Sequence, residues 1–458
     1  MKPTDLSLLT DLYQLTMAQA YWLAGMAETH ATFHLYYRRP PFGGGGAIAA
    51  GIEPAICYVE SLRFDPEQVA FLAQMPAPGG GLLFRADFLA WLGEQAPALD
   101  VDAMPEGSLV LAHEPILRVR GPLALAQIVE TTLLNILNFQ TLVATKAARI
   151  CTAAAGREVL EFGLRRAQGP DGGLAASRAA YVGGVTATSN VLAGQAFGIP
   201  VRGTHAHAWV MAHEHEHEAF ANWAQAMPGN ALFLVDTWDT ATGVQNAIVA
   251  GRALEAAGGR FLGVRLDSGD LGALAFDARR ALDAAGFPKA RIVASSDLDE
   301  HAIVKLVRAG APIDTFGVGT RLVTGHDQPA LGGVYKLGAV GTGDARRTCV
   351  KRSEDVGKIA VGGCLQVRRG PDGDTIWDEA DGPPDTEGED LLQPALVRGA
   401  RPGTRPTPSE ALRAARERAT VALAAGWFHP TSPTPLAPAR WSAPLAARRA
   451  AITKQESV

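Results

Sequence analysis

Through the middle of the chain, short apolar runs alternate with amphipathic stretches, and each run ends in polar residues or glycine. Glu158–Phe162 leads into Gly163-Leu164-Arg165-Arg166, Gly198–Val201 into Arg202-Gly203-Thr204-His205, and Ala231–Val235 into Asp236-Thr237. Phe261–Leu266 ends at Asp267-Ser268-Gly269-Asp270, Arg291–Ala294 at Ser295-Ser296-Asp297, and Ile313–Phe316 at Gly317-Val318-Gly319-Thr320. Strand-like runs alternating with helical periodicity, at intervals of roughly 30 residues, predict βαβ units and a parallel sheet. In an α/β barrel the active site is built on the loops at the C-terminal ends of the strands, where this chain places its Asp, Ser, Thr, Arg and His.

The flanks follow another rhythm. A helix is predicted over Leu9–Trp22, then an extended run over Ala31–Tyr37, a glycine turn and further helix. The run Gly43–Gly46 lacks the flanking strand and helix of a dinucleotide fingerprint and reads as a hairpin tip or lid. Beyond residue 340, Val356–Arg368 suits a hairpin, and the acidic, Gly- and Pro-rich Pro371–Asp390 reads as loop. Pro408–Ala424 suits a helix with Ser409 near its cap, and the tail after Trp427 is expected to wrap the surface. The predicted architecture is an irregular α/β barrel over residues 126–340. A second, open-sandwich α/β domain is expected from 1–125 together with 341–458.

Composition narrows the function classes. The 458 residues are 47% hydrophobic and carry a net charge of −5. That balance disfavours a chain-wide grip on nucleic acid or on an anionic membrane. No apolar run reaches the ~18 residues a membrane helix needs. The four cysteines form no CxxC knuckle and suggest no disulfide framework. A cytoplasmic enzyme is the expectation.

Three strand-end segments carry candidate chemistry. In Gly203-Thr204-His205-Ala206-His207, a turn opens a helix whose first amides can seat an anion, and His207 falls in the first helical turn. An imidazole there is a competent nucleophile near neutral pH, although spacing by itself favours a structural histidine. In Val264-Arg265-Leu266-Asp267, alternation puts Arg265 and Asp267 on one face. Arg265 can clamp an anionic substrate and Asp267 can face magnesium or ribose hydroxyls; a structural ion pair is the alternative. Gly317-Val318-Gly319-Thr320 permits close backbone approach and can cradle phosphate, as a tight turn also explains. Arg165-Arg166 add basic groups. Tyr13 is placed to stack on an aromatic ligand or simply to pack. A competing motif is His213-Glu214-His215-Glu216-His217, which satisfies the HExxH zinc pattern and puts His213 and His217 one helical turn apart, while also reading as a solvated helix face.

Taken in order, seven segments resemble the nicotinate phosphoribosyltransferase family: TDLYQLTMAQAYW from Thr10, YRRPPFGGGGAIAAGIEPAICYVESLRF from Tyr37, EFGLRRAQGPDGG from Glu161, SNVLAG from Ser189, then GTHAHAW, VRLDSGDL and FGVGTRLVT. The resemblance implies transfer of phosphoribose from phosphoribosyl pyrophosphate to nicotinate, with magnesium, and coupling to ATP hydrolysis through a phosphohistidine at His207. It implies nicotinate binding by Tyr13, Arg165, Asn190, Thr204 and Arg265, with Tyr13 stacking across a homodimer interface. It places the ribose 5-phosphate at Gly317, Gly319 and Thr320, and ribose or metal at Asp267. Asn190, where related nicotinamide enzymes carry an acid, implies the acidic base. A sister enzyme using nicotinamide or quinolinate, a zinc hydrolase at His213 and His217, and a silent barrel used for binding are the other readings.

Overall fold

The computed structural model describes residues 6–351 and 361–454, and the chain divides into two units. The first comprises Met1–Leu142, Ala330–Arg418 and Pro435–Val458; the second comprises Val143–Pro329 and Ala419–Thr434. The division falls inside the long helix Glu130–Ala153, a place with no glycine or proline to mark it.

In the first unit, Ala31–Tyr37 is buried along nearly its whole length, so both faces of the run are apolar or satisfied. It lies inside a six-stranded antiparallel sheet. The order is Arg347–Thr348, Gly333–Val340, His30–Tyr37, Leu117–Pro122, Asp100–Ala103, Gln393–Leu396. Phe33 stacks on Tyr335 at 4.8 Å across the central pair. The sheet thus draws strands from both ends of the chain. The predicted hairpin from Val356 lies partly outside the described residues; the strand pairing observed is Leu365–Gly370 with Gly373–Asp378. This corrects the loop reading of Pro371–Asp390, because Thr375-Ile376-Trp377 is an apolar run that the surrounding acids and glycines obscure. The run Gly43–Gly46 is no free tip: it leads into the Ala47–Ile48 and Leu109–Val110 ribbon, and a Cβ on Gly46 would lie 2.9 Å from Leu109 and the Val110 carbonyl. Helix Pro408–Ala424 forms as expected, but its cap is Thr407, whose Oγ1 accepts from the Glu410 amide while Glu410 accepts from the Thr407 amide.

The second unit holds six parallel strands: β1 Glu158–Glu161, β2 Ala187–Thr188, β3 Ala231–Leu234, β4 Phe261–Leu266, β5 Arg291–Ala294 and β6 Thr315–Val318. Their order, β2-β1-β6-β5-β4-β3, makes a curled half-barrel with β2 and β3 at its edges. Five of the six predicted runs are strands. The sixth, Gly198–Val201, contributes only a bridge from Val201 to Thr188, and the sheet takes Ala187–Thr188 instead. Several of the recurring strand-end acids prove to be helix caps. Asp239, Asp270 and Asp299 accept amide hydrogens at the starts of helices Thr240–Ala256, Leu271–Ala284 and Glu300–Arg308. Each such cap contributes about 1 kcal/mol.

Three histidines are held neutral by burial. His34, whose Nε2 accepts from the Leu365 amide, is lowered to about 3 by burial and then by Arg118 and Arg120. His113 is lowered to about 4 by burial and by Arg449 and Arg38. His205, in the second unit, is likewise lowered to about 4 by burial. The unfolded chain protonates its imidazoles below about pH 6.5, so it binds more protons than the folded chain there. Stability therefore falls as pH drops from about 6.5 toward 4, and these groups cost nothing above 6.5. Thermal melts from pH 8 to pH 4.5 should be flat at first and then slope downward, with a shallower slope in a His34→Gln variant. Equal slopes for the two proteins would show that His34 is protonated in the fold.

Candidate active site

The C-terminal ends of β4 and β5 and the start of the helix His207–Met211 bring four side chains together. Arg265 and Asp267 emerge on one face of the β4 terminus, as strand alternation requires, and Arg265 Nη2 lies 2.9 Å from Asp267 Oδ1. Ser295, at the end of β5, ties them: its hydroxyl accepts from Arg265 Nε at 2.7 Å and donates to Asp267 Oδ1 at 2.5 Å. The backbone of the next residue, Ser296, has a φ of 140°, a strained conformation for a residue with a side chain. Asp267 is partly buried, which opposes its charge; the Ser295 hydroxyl and the Arg265 guanidinium outweigh that and hold its carboxyl below the usual carboxylate range. Its other oxygen, Oδ2, lies 3.8 Å from His207 Nε2.

His207 opens the helix His207–Met211 and keeps 37% of its side-chain surface exposed. Its Nδ1 lies 3.1 Å from Thr237 Oγ1, beyond the end of β3. With Nδ1–H donating to that hydroxyl, Nε2 carries the free lone pair. His205 behaves differently. It is turned inward against Phe220, Trp223 and Phe233, and its Nε2 accepts from the Leu234 amide at 3.3 Å. Only the second histidine of the motif therefore has a reactive nitrogen facing the polar cluster.

Asp236, at the end of β3, accepts from the Asp267 amide at 2.9 Å and the Ser268 hydroxyl at 2.6 Å through Oδ2. Its Oδ1 is buried without a hydrogen-bond partner. Among the described residues no group of three or more His, Cys, Asp or Glu is placed to hold a metal. Asp267 Oδ2 and Asp236 Oδ1 are single carboxylate oxygens of the kind that hold magnesium jointly with substrate phosphates.

A second focus lies where β1 and β6 end. The Phe162 amide donates to the Val318 carbonyl, and a Cβ on Gly163 would strike Val323 at 2.4 Å, so the two loops pack directly on each other. Arg166 Nη1 donates to Thr320 Oγ1 at 3.2 Å. Arg165 is exposed, with no hydrogen bond or ion pair to other described residues; its neighbour makes the contact across the loops. Gly319 and Thr320 are half-buried beside them. Gly317 serves packing: a Cβ there would lie 2.8 Å from the Phe162 ring, and that ring faces the Arg265 guanidinium at 5.6 Å. Phe162 thus links the basic loops to the Arg265 cluster.

The remaining predicted residues are spread more widely. Thr204 is half-buried, its hydroxyl donating to the His205 carbonyl. Asn190 is 3% exposed and caps the helix Val191–Phe197, its Oδ1 accepting from the Ala193 amide. Tyr13 lies in the first unit, 49% exposed on the helix Leu12–Leu23. Ser295, Asp236, Thr237 and Phe162 were visible in the sequence only as strand-end polar or apolar positions.

The zinc reading does not survive. The helix stops at Met211 and the next begins at Glu216, so His213 and His217 do not share one helix face. His213 Nδ1 lies 2.9 Å from the Trp209 carbonyl, and the His217 ring stacks on that of His215.

The chain matches the sequence pattern of the nicotinate phosphoribosyltransferase N-terminal domain over residues 8–138 and that of the nicotinate phosphoribosyltransferase family over residues 158–358. It is 47% identical over 371 residues to a nicotinate phosphoribosyltransferase of Bacillus subtilis, covering 80% of this chain and 74% of that protein. It is 38% identical over 428 residues to the human nicotinate phosphoribosyltransferase, covering 81% and 78%. The crystal structure of human nicotinic acid phosphoribosyltransferase superposes with a TM-score of 0.80 at 32% identity, over 96% of this chain and 99% of that one.

Proposed function

The chain belongs to the nicotinate phosphoribosyltransferase family, and from that premise we propose that it forms nicotinate mononucleotide and pyrophosphate from nicotinate and phosphoribosyl pyrophosphate, driven by ATP through a phosphorylated His207. The observation that carries this reading is the convergence of Arg265, Asp267, Ser295 and His207 at one end of the parallel sheet.

Arg265 spends Nε on Ser295 and one Nη2 hydrogen on Asp267, which leaves Nη1 for the nicotinate carboxylate. Thr204, Asn190 and Arg165 complete the base site in this reading. The Gly317–Thr320 turn with Arg166 receives the ribose 5-phosphate. The pyridine nitrogen attacks the anomeric carbon while the bond to pyrophosphate breaks and takes its electron pair with it. Asp267 Oδ2 faces the positive charge that develops on the ribose. Asp267 and Asp236 would hold magnesium, which when bound neutralises the departing pyrophosphate.

ATP enters through His207. Its Nε2 attacks the terminal phosphorus, forming an N–P bond as the bond to ADP breaks, and water later cleaves the N–P bond to release inorganic phosphate and restore the imidazole. The adjacent Asp267 carboxylate stabilises the imidazole as it gains positive character. Tyr13 stacks on the base bound by a second copy. The exposed Leu9, Leu12 and Tyr13 on and beside the first helix supply an apolar face for such a homodimer.

His207→Ala is expected to abolish ATP stimulation while basal formation of nicotinate mononucleotide persists. Assays with and without ATP, alongside acid-labile labelling from terminally labelled ATP, read both. Unchanged stimulation in the variant would remove His207 as the phosphoryl carrier. Turnover of nicotinamide or quinolinate in preference to nicotinate would overturn the substrate.

A further inference from the structure

Beneath the Gly163–Arg166 loop lies a buried carboxylate that the reaction does not use. Glu161, the last residue of β1, is fully buried. Its Oε1 accepts from the Gly163 amide. Its Oε2 accepts from two hydroxyls, Ser177 at 2.9 Å and Thr188 at 2.5 Å. Both hydroxyl oxygens then serve as acceptors. Thr188 Oγ1 receives the Asn190 amide at 3.0 Å, and Ser177 Oγ receives Asn190 Nδ2 at 3.2 Å.

Counting protons fixes the direction of the bond between Ser177 and residue 190. Ser177 has one hydroxyl proton and two acceptors beside it already, Glu161 Oε2 and the Gly173 carbonyl at 3.0 Å. The Thr188 hydroxyl, 3.4 Å away, can donate to it, and the one further group facing Ser177 must donate as well. That group is the side chain of residue 190, which also faces the Gly173 carbonyl at 3.5 Å. An asparagine satisfies the demand with Nδ2, while its Oδ1 accepts from the Ala193 amide. An aspartate would set a second buried carboxylate against a hydroxyl with no proton to give, and a buried unpaired acceptor is costly.

We propose that Glu161 is a positioning and specificity-determining residue: by accepting from Thr188 and sharing the Ser177 proton with the Gly173 carbonyl it leaves residue 190 no proton to accept there, which keeps an amide rather than a carboxylate at 190, and it anchors the Gly163–Arg166 loop through the Gly163 amide. Preference for an acidic base is then set one layer behind the pocket. The base-selecting part of this rests on the reading that Asn190 faces nicotinate.

Replacing Glu161 by Gln reverses the network. An amide NH₂ at the Oε2 position donates to both hydroxyls, so that the Ser177 proton is shared between the Gly173 carbonyl and an acceptor at 190. The test is a cycle of Glu161→Gln, Asn190→Asp and the double variant, read by thermal midpoint at pH 7.5 and pH 5.5 and by kcat/KM for nicotinate and nicotinamide. Asn190→Asp alone should lower the midpoint by several degrees, on the order expected for a buried unpaired group. Part of that loss should return at pH 5.5 as the extra carboxylic acid protonates. The double variant should melt above Asn190→Asp, and its nicotinamide-to-nicotinate ratio should rise roughly tenfold or more over wild type. A purely structural role for Glu161 would move midpoints without this rescue. Additive effects of the two substitutions on both readouts overturn the proposal. Rescue of the midpoint with an unchanged base ratio upholds Glu161 as the positioning group and removes Asn190 from base selection.

Discussion

An Arg265→Ala enzyme is expected to lose about a thousandfold in kcat/KM for nicotinate. The guanidinium is 17% exposed, so its bonds to an incoming carboxylate form largely out of water. Two charge-assisted hydrogen bonds at about 2 kcal/mol each amount to about 4 kcal/mol, close to three powers of ten. The substitution also removes the cation that, after the Ser295 hydroxyl, favours the Asp267 carboxylate, and it removes the donor that orients Ser295. Both effects act on the transition state, so kcat should fall along with affinity. Arg265→Lys keeps the charge but loses the fork, and should recover only part of the loss. The discriminating control is Ser295→Ala, which leaves the guanidinium in place while removing its anchor; it should cost about tenfold, mainly in kcat. Steady-state kinetics on the three variants decide the matter. A loss of less than tenfold in Arg265→Ala would mean that the carboxylate is held elsewhere.

The Arg265–Asp267 pair was legible because a strand has a period of two, and two charged residues flanking a leucine at its end can only share a face. The barrel strands were legible for a related reason: each apolar run is bounded sharply by Gly, Ser, Asp or Thr. Ala187–Thr188 escaped because Val185-Thr186-Ala187-Thr188 alternates with threonine and offers no apolar run, and the strand itself is only two residues long. Gly198–Val201 misled because its apolar residues follow the helix Val191–Phe197 and serve to return the chain, with one bridge to Thr188. The HExxH pattern failed for want of context: spacing implies a shared face only if the helix is continuous, and this one breaks after Met211. Glu161 was invisible in a different way. In Glu158-Val159-Leu160-Glu161 it shares a strand face with Val159, and its charge alone suggests a solvated strand end, yet it is buried and hydrogen-bonded by residues 16 and 27 positions later. Local pattern reports which residues face which way. It does not report that a helix and a strand end supply hydroxyls to satisfy a charge.

The same long-range pairing of charge governs the stability of the second unit. Lys146, on the helix Glu130–Ala153, is fully buried 2.8 Å from Glu300, whose carboxyl is 1% exposed. Arg149, one helical turn on, binds the same carboxylate at 2.9 Å. Asp327, half exposed, lies 3.2 Å from Lys146. Glu300 opens the helix Glu300–Arg308 that follows β5, so this one carboxylate fastens the long helix to the strand end that carries Ser295. Glu300→Ala removes the anion shared by two buried cations and should destabilise the protein by about 3–5 kcal/mol. Urea titration at constant slope should show the loss as a lower midpoint. A Lys146→Met/Arg149→Met/Glu300→Leu triple variant should recover much of it, because a buried ionic group replaced as a whole by apolar side chains of similar volume is close to neutral. If Glu300→Ala proves as stable as the wild type, then water or a rearranged Asp327 already compensates the cations. Helix Glu300–Arg308 would then be held by its apolar face, Ile303 and Val304, rather than by charge.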